Sequence, residues 1–354
     1  MEVKELGAAE LDKYDGLRIT EKTELLPMKP LIRLGDETVI NSGDILIISA
    51  PPKSAKTAVM SFLISGTVTQ TADCIGCIPD LSIVPAEISH NGKVISKAVL
   101  HIDTEQNKHW HQKNINQILA RVNMRNCPAF FCSYNFRQLE FEDFLAATET
   151  VCKKAVRDFD GIHIIFIDGI ADYLTSVNDE KESQKIYRWL FKLADTYNCG
   201  IVTTLHQNPG SVKKERGHAG SDGQRKADAV IGLVKQDGVI TFDLRFMRGS
   251  EDIPLVQVKY DKQLGRHVYH GNGRKLTEES IEEIKLTKEK AKAKSHADAV
   301  FKHGAALYAA DIKRYIQQGF DLSQEAARKV FILMQKHDLI IADEHGRWIQ
   351  KSPF

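Results

Sequence analysis

Residues 50–57 read Ala50-Pro51-Pro52-Lys53-Ser54-Ala55-Lys56-Thr57 and stand between a strand-sized apolar run, Ile45–Ala50, and a helix-forming stretch. A lysine-threonine pair at the start of a helix suits a polyphosphate. Backbone N–H groups from Ser54, Ala55, Lys56 and Thr57 would face an anion where the helix dipole favours it. Lys56 would neutralise terminal phosphates and the Thr57 hydroxyl would ligate Mg2+. The spacing is that of G-x-x-x-x-G-K-[ST], with Ala50 and Ala55 where the two glycines belong. Pro51 and Pro52 lack N–H groups but precede the cradle. If position 55 requires a positive φ, alanine costs about 1–2 kcal/mol there. On its own the segment is equally readable as a plain strand–loop–helix junction.

Three more strand-like runs end in polar side chains. The first, Leu100-His101-Ile102, runs into Asp103-Thr104-Glu105-Gln106. A carboxylate at the C-terminal edge of a strand stands in the crevice where open α/β sheets bind ligands. Glu105 is there a candidate to orient or deprotonate an attacking water; taken alone, a solvent-facing loop acid is the commoner case. The second run, Ile162-His163-Ile164-Ile165-Phe166-Ile167, ends in Asp168-Gly169, the pattern of a buried strand whose last carboxylate holds Mg2+. The third, Ile201–Leu205 in extent, ends in His206-Gln207-Asn208, whose imidazole and amide could sense a γ-phosphate by hydrogen bonds. A Gly/Ser/charge-rich segment, 213–223, follows, and Arg245 and Arg248 leave a late strand.

The elements that must position these residues can be read from periodicity. Strands are expected at 44–49, 98–102, 129–132, 162–167, 200–204, 229–234, 239–246 and 256–261, and helices at 57–71, 109–123, 141–158, 182–197 and 223–226. Fully apolar strands alternating with helices indicate a mostly parallel sheet covered on both faces. The late strands crowd without helices between them, which predicts an antiparallel extension. Asn91-Gly92 predicts a hairpin over 87–96. Over the whole chain of 354 residues, 48 Lys+Arg face 47 Asp+Glu, so net charge dictates no partner. With 42% hydrophobic and 27% charged residues, wholesale disorder, collagen and a small disulfide scaffold are excluded. No apolar run approaches the roughly 18 residues of a membrane helix. The polar N-terminus and six irregularly spaced cysteines predict a cytoplasmic protein with reduced thiols and no membrane partner. Cys74 and Cys77 form a C-x-x-C without a second pair, an unpromising zinc site.

Taken in order, the lysine-threonine loop, Asp-Thr-Glu-Gln after the next strand, the apolar run to Asp168, the strand to His206-Gln207 and the late Met247-Arg248-Gly249-Ser250 resemble RecA-like P-loop ATPases. Within them the sequence is most similar to plasmid RepA-type hexameric helicases and the related KaiC-type ATPases, over roughly residues 25–262. The resemblance implies a RecA-like P-loop NTPase core binding ATP and Mg2+. Ser54, Ala55, Lys56 and Thr57 would then bind the nucleotide, Thr57 and Asp168 the metal. It further implies Glu105 as the catalytic glutamate, His206 and Gln207 as sensors, and Arg248 (or else Arg216) as an arginine supplied to a neighbouring subunit. The sequence departs from the family pattern at Ala50 and Ala55.

The domains expected are an N-terminal extension over 1–24, the ATPase domain over 25–270, a charged helical linker over 271–296 and a small C-terminal domain over 297–354. Residues 271–354 carry 15 Lys+Arg against 12 Asp+Glu, a net of +3, and the first 270 carry 33 against 35, a net of −2. In the tail, a helix over 309–318, a second helix capped by Ser323 and a hairpin around Glu344-His345-Gly346 resemble a winged helix. Such a module would expose Gln324, Arg328 and Lys329 to a major groove and bring Arg347 to phosphates. The leading expectation is a DNA-dependent ATPase or helicase, a homo-oligomeric ring such as a hexamer, acting on DNA in replication or mobilisation of a mobile element. The alternatives are a nucleotide-gated DNA-binding regulator with little or no hydrolysis, and an ATP-binding assembly factor with a protein-binding tail.

Overall fold

The structure, a computed structural model, describes residues 18–24, 28–69, 81–90, 92–207, 217–247, 255–273 and 278–351. It divides into two compact units, Met1–Gly273 and Arg274–Phe354.

In the first unit, strands β1 (Pro30–Leu34) and β2 (Glu37–Asn41) precede β3 (Ile45–Ala50), which leads into helix α1 (Lys56–Val68). Strand β4 (Leu81–Ile83) and the hairpin β5 (Glu87–His90) and β6 (Lys93–Ser96) come next. They are followed by β7 (Ala98–Asp103), α2 (Lys108–Arg121), β8 (Phe131–Asn135), α3 (Phe144–Asp158) and β9 (Ile162–Asp168). The unit continues with α4 (Glu180–Tyr197), β10 (Gly200–His206), α5 (Gly217–Lys226) and β11 (Ala229–Gln236), and closes with β12 (Val239–Met247), β13 (Leu255–Asp261) and β14 (Arg266–Gly273). Nine strands form one sheet in the order β14-β13-β12-β11-β3-β10-β9-β7-β8. From β11 to β8 neighbouring strands run parallel, and β12, β13 and β14 extend the sheet antiparallel. β1, β2 and β4 make a separate small sheet.

Two apolar layers explain why the central strands lack alternation. Leu46, Ile48, Ile164, Phe166 and Val202 face Val59, Phe62 and Ile64 of α1 and Ile118 of α2 on one side. Ile45, Ile47, Leu100, Ile102 and Ile165 face Cys152 of α3, Leu190 of α4 and Ala219 of α5 on the other. Strands buried on both faces are mostly apolar, as β3, β7 and β9 are, with Ser49, His101 and His163 as buried polar exceptions ahead of the strand ends.

Three local readings are corrected. The strand expected at 129–132 begins later, at Phe131, because Pro128 opens a turn closed by Phe131 N–H donating to the Pro128 carbonyl at 3.0 Å. The shift puts Ser133 opposite His101 and Asn135 opposite Asp103. The glycine-rich stretch expected to be helical only at 223–226 is helical from Gly217, since Tyr187 of α4 donates to the Ala219 carbonyl at 2.9 Å and Ala219 is buried. The strands β1, β2, β4 and β14 were not expected at all: β1 and β2 lie ahead of the first apolar run, and β14 carries little apolar character.

In the second unit, helix α6 (Glu278–Val300) is followed by β15 (Ala306–Leu307), α7 (Ala309–Phe320), α8 (Gln324–Lys336), β16 (Ile340–Ala342) and β17 (Trp348–Gln350). The three strands form an antiparallel sheet in the order β15-β17-β16. Ala293, Ala297 and Val300 of α6 pack with Ile312, Ile316, Ala327 and Met334, so the end of the segment read as linker belongs to this core. Among the described residues no helix is long and apolar enough to cross a membrane.

Glycine is required where α1 meets β4. A Cβ at Gly66 would lie 2.5 Å from Ile83 Cδ1 and 2.8 Å from its Cβ, whereas one at Gly319 of α7 would meet nothing within 4 Å. Overpacking costs about 1–3 kcal/mol and helical Gly→Ala gains up to about 1. Gly66→Ala should therefore lower stability by about 1–2 kcal/mol and Gly319→Ala raise it by up to about 1 kcal/mol, read from denaturant midpoints.

Candidate active site

The parallel register brings the polar strand ends together. His206 aligns with Ala50 across β10 and β3, and Asp103 aligns with Asp168 across β7 and β9. Ala50 is the fully buried last residue of β3, in extended backbone that any residue adopts, so its departure from glycine carries no strain. Ala55 differs. Both Lys53 and Ala55 have left-handed backbone, with φ 61 and 62. Alternation into the left-handed region curls a loop so that successive N–H groups converge, an anion-binding concavity. α1 then starts at Lys56 with no side-chain cap, leaving its first N–H groups for a ligand or water.

Inside this loop Lys56 is 7% exposed, and its Nζ lies 2.9 Å from His206 Nδ1. Burial lowers the Lys56 pKa, and the Glu105 and Asp168 carboxylates oppose that shift. Thr57 Oγ1 donates to Asp168 Oδ2 and Thr204 Oγ1 to Asp168 Oδ1, each at 2.8 Å. Asp168 is 2% exposed; burial raises its pKa and the two hydroxyl bonds pull it down. Gln106 Nε2 stands 3.4 Å from Thr57 Oγ1. Glu105 Oε1 lies 3.5 Å from His206 Nε2, and the imidazole holds this carboxyl below its ordinary range. Lys56, Thr57, Glu105, Asp168 and His206 therefore form one cluster, with Ser54 buried on the loop beside it. A cleft of about 560 Å3 lined by Thr104, Glu105, Phe141, Phe144, Asp172 and Leu174 gives water access to Glu105 from one side.

The donor set fits a magnesium nucleotide. Mg2+ is usually held by one or two protein oxygens plus substrate phosphates, and Thr57 with Asp168 supplies such a pair of hard oxygens. Among the described residues no group of three or more His, Cys, Asp or Glu forms an independent metal site.

Gln207 departs from its expected place. It is 1% exposed and its amide donates to the Ser49 carbonyl of β3 at 3.2 Å, while its Oε1 is buried without a hydrogen-bond partner. Arg248 and Arg216 lie outside the described residues, as do Cys74 and Cys77. Thr204 and Asp103 were missed in the sequence. A Thr-Thr pair inside an apolar strand was the only hint of the first, and adjacency to Glu105 that of the second. In the C-terminal unit Gln324 and Arg328 are exposed on α8. Lys329 Nζ pairs with Glu325 at 2.7 Å. Arg347 is turned onto Asp343, with Nε at 3.0 Å and Nη2 at 2.9 Å from Oδ2, so the intraturn carboxylate satisfies the guanidinium expected to reach phosphate.

Ala55→Gly should remove about 1–2 kcal/mol of left-handed strain and lose up to about 1 kcal/mol to the freer unfolded chain. A net gain of up to about 2 kcal/mol, read from the denaturant midpoint, with Mg·ATP affinity not weakened, is the expected result. Asp103 supplies a pH signature. Burial pushes its carboxyl from 3.8 up to about 7, so between these values the native protein keeps a proton the unfolded chain has lost. Its contribution to stability is complete below the lower value and falls as pH rises through the upper one. Asp103→Asn removes that dependence, and unfolding midpoints at pH 4, 6 and 8 should shift progressively in favour of the variant.

No protein-family model matches the chain, and no curated protein matches it significantly.

Proposed function

We propose that this chain is an ATP-binding, ATP-hydrolysing RecA-like protein that acts on DNA through a winged-helix-like tail. The observation that carries the reading is the convergence of Lys56, Thr57, Asp168, Glu105 and His206 at the C-terminal ends of β3, β7, β9 and β10. The strand order is compatible with a RecA-like core: the loop-bearing β3 and the aspartate-bearing β9 flank β10, which carries His206.

In this reading the loop from Lys53 to Thr57 receives the phosphates, and Lys56 leaves His206 to face them. Thr57 and Asp168 hold Mg2+, which when bound offsets charge on the transferring phosphoryl group. Glu105, kept ionised by His206, accepts the proton of an attacking water. The released imidazole of His206 can report phosphate occupancy to Glu105, because its two nitrogens face Lys56 and Glu105 respectively. The order of elements in the C-terminal unit, three helices with a strand after the first and a terminal hairpin, supports the winged-helix reading. Gln324, Arg328 and Lys329 on the exposed face of α8, with Arg347 beside the terminal hairpin, are its candidates for DNA contact; the exposed Lys329–Glu325 pair gives way to a phosphate at little cost. A ring of identical subunits, in the manner of hexameric helicases, completes the proposal.

A second reading, a nucleotide-gated DNA-binding regulator with slow or no hydrolysis, is favoured by the Lys56–His206 contact and by alanine at left-handed position 55. Steady-state ATPase with and without single-stranded DNA separates them: DNA-stimulated turnover supports the motor, binding without turnover the regulator. Lys56→Ala should abolish Mg·ATP binding while the fold survives, and unchanged affinity would remove the phosphate-loop assignment. Glu105→Gln should bind ATP normally and lose turnover.

A further inference from the structure

Glu105 sits on a short loop with no helix or strand to fix it, and its side chain is 43% exposed. Yet the loop's backbone is held at successive positions. Thr104 N–H donates to the Asp168 carbonyl at 2.8 Å. Glu105 N–H and Gln106 N–H both donate to Asp103 Oδ1, at 3.0 and 2.8 Å, closing an Asx turn around the glutamate. The Gln106 carbonyl accepts from Asn135 Nδ2 at 2.8 Å. Asn107 then caps α2 by accepting from Trp110 N–H at 3.0 Å.

Behind Asn135 runs a chain of side chains that the proposed chemistry does not use. Asn135 Nδ2 is 3.2 Å from His111 Nδ1, His111 Nε2 is 2.7 Å from Ser133 Oγ, and Ser133 Oγ is 2.8 Å from His101 Nδ1. His101 and His111 are both buried, and burial lowers both pKa values, His101 to about 3. Asn135 Nδ2 faces both the Gln106 carbonyl and His111 Nδ1, and His111 Nδ1 also lies 3.4 Å from Asp103 Oδ2, so this ring touches both the asparagine and the carboxylate that hold the turn. His101 Nε2 is buried without a hydrogen-bond partner. Donation to the Gln106 carbonyl holds the Asn135 amide with its nitrogen toward the loop.

We propose that Asn135 is the positioning residue for Glu105: with Asp103, it clamps the turn over 104–106 so that the glutamate stays beside His206. This role rests on the ATPase reading for its effect on turnover, but the clamp itself can be read without turnover. A positioning defect of about 1 Å can cost roughly 100-fold in rate, so loss of one of the clamp's bonds is expected to cost about 10- to 100-fold.

The test uses the full-length chain with Asn135→Ala and the near-isosteric Asn135→Asp, whose carboxylate would face the Gln106 carbonyl without a donor. Carbon-13 NMR of the Glu105 carboxyl should show the group titrating below its ordinary range in wild type and moving back up in both variants. Turnover should fall about 10- to 100-fold while the Kd for a fluorescent ATP analogue with Mg2+ stays within about twofold. If wild type proves inactive, the ATPase reading fails and the Glu105 titration alone decides the clamp. An unmoved Glu105 titration, or wild-type turnover in either variant, overturns the proposal. If Asn135→Ala fails to fold by circular dichroism, Asn135→Asp and Asn135→Ser carry the same measurements.

Discussion

A carboxylate buried at the end of an apolar strand is the constraint around which the first unit is arranged. Asp168 ends a strand of seven buried residues, and an ionised carboxylate there without partners would cost several kcal/mol in desolvation. Two hydroxyls meet it: Thr57 from the first turn of α1 and Thr204 from the neighbouring β10. Both must arrive in register. α1 therefore has to start directly after β3, with Gly66 letting β4 close against the helix farther along, and β10 has to lie between β3 and β9. The same placement brings Lys56 to His206 and His206 to Glu105. The parallel order of the central strands is thus both the burial solution for apolar residues and the means by which distant residues meet at one edge.

The cluster carries opposing charges in a low-exposure setting, and the competition between burial and pairing sets each group. Burial raises Asp168 and lowers Lys56, each shift favouring the uncharged form, while mutual attraction and hydroxyl donors oppose it. Glu105 is more exposed, and there the imidazole contact outweighs desolvation, so it is held ionised. Two carboxylates of one cluster are thus set apart by environment, not by residue type. Asp103, a third carboxylate next to both, takes two backbone N–H groups on Oδ1, lies 3.4 Å from His111 Nδ1 through Oδ2 and is raised by burial to about 7.

The C-terminal unit follows a different logic. Its small core draws on three helices, and apolar Ala327, Val330, Phe331 and Met334 fill one face of α8 while Gln324, Arg328 and Lys329 remain outside. Local carboxylates already engage part of the cationic surface, at Glu325 and Asp343. A surface salt pair such as Lys329–Glu325 is worth only up to about 1 kcal/mol and yields readily to a phosphate. The Arg347–Asp343 pair is tied further by Asp343 Oδ1 accepting Arg347 N–H at 2.9 Å, so it also shapes the turn.

The amino-acid sequence by itself determined the central strands, most helices and the strand ends at or just beyond which Lys56-Thr57, Glu105 and Asp168 stand. These are local properties: apolar runs long enough to be buried on both faces, each ending abruptly in a polar side chain. It also determined that Ala55 would be strained if left-handed, but not that it is. Tertiary structure decided the rest. The Pro128 turn displaced β8 and set Asn135 against the Glu105 loop, a pairing between residues far apart in the chain that no periodicity encodes. Gln207 adjoins His206 in sequence yet points to Ser49, because successive side chains at a strand's end leave on opposite sides. Helix α5, rich in glycine, exists because Tyr187 and the sheet bury it, and Arg347 pairs with Asp343 across its own surface turn. Sequence shows which strands end in polar side chains; only packing decides which of those side chains share an edge and which way each one faces.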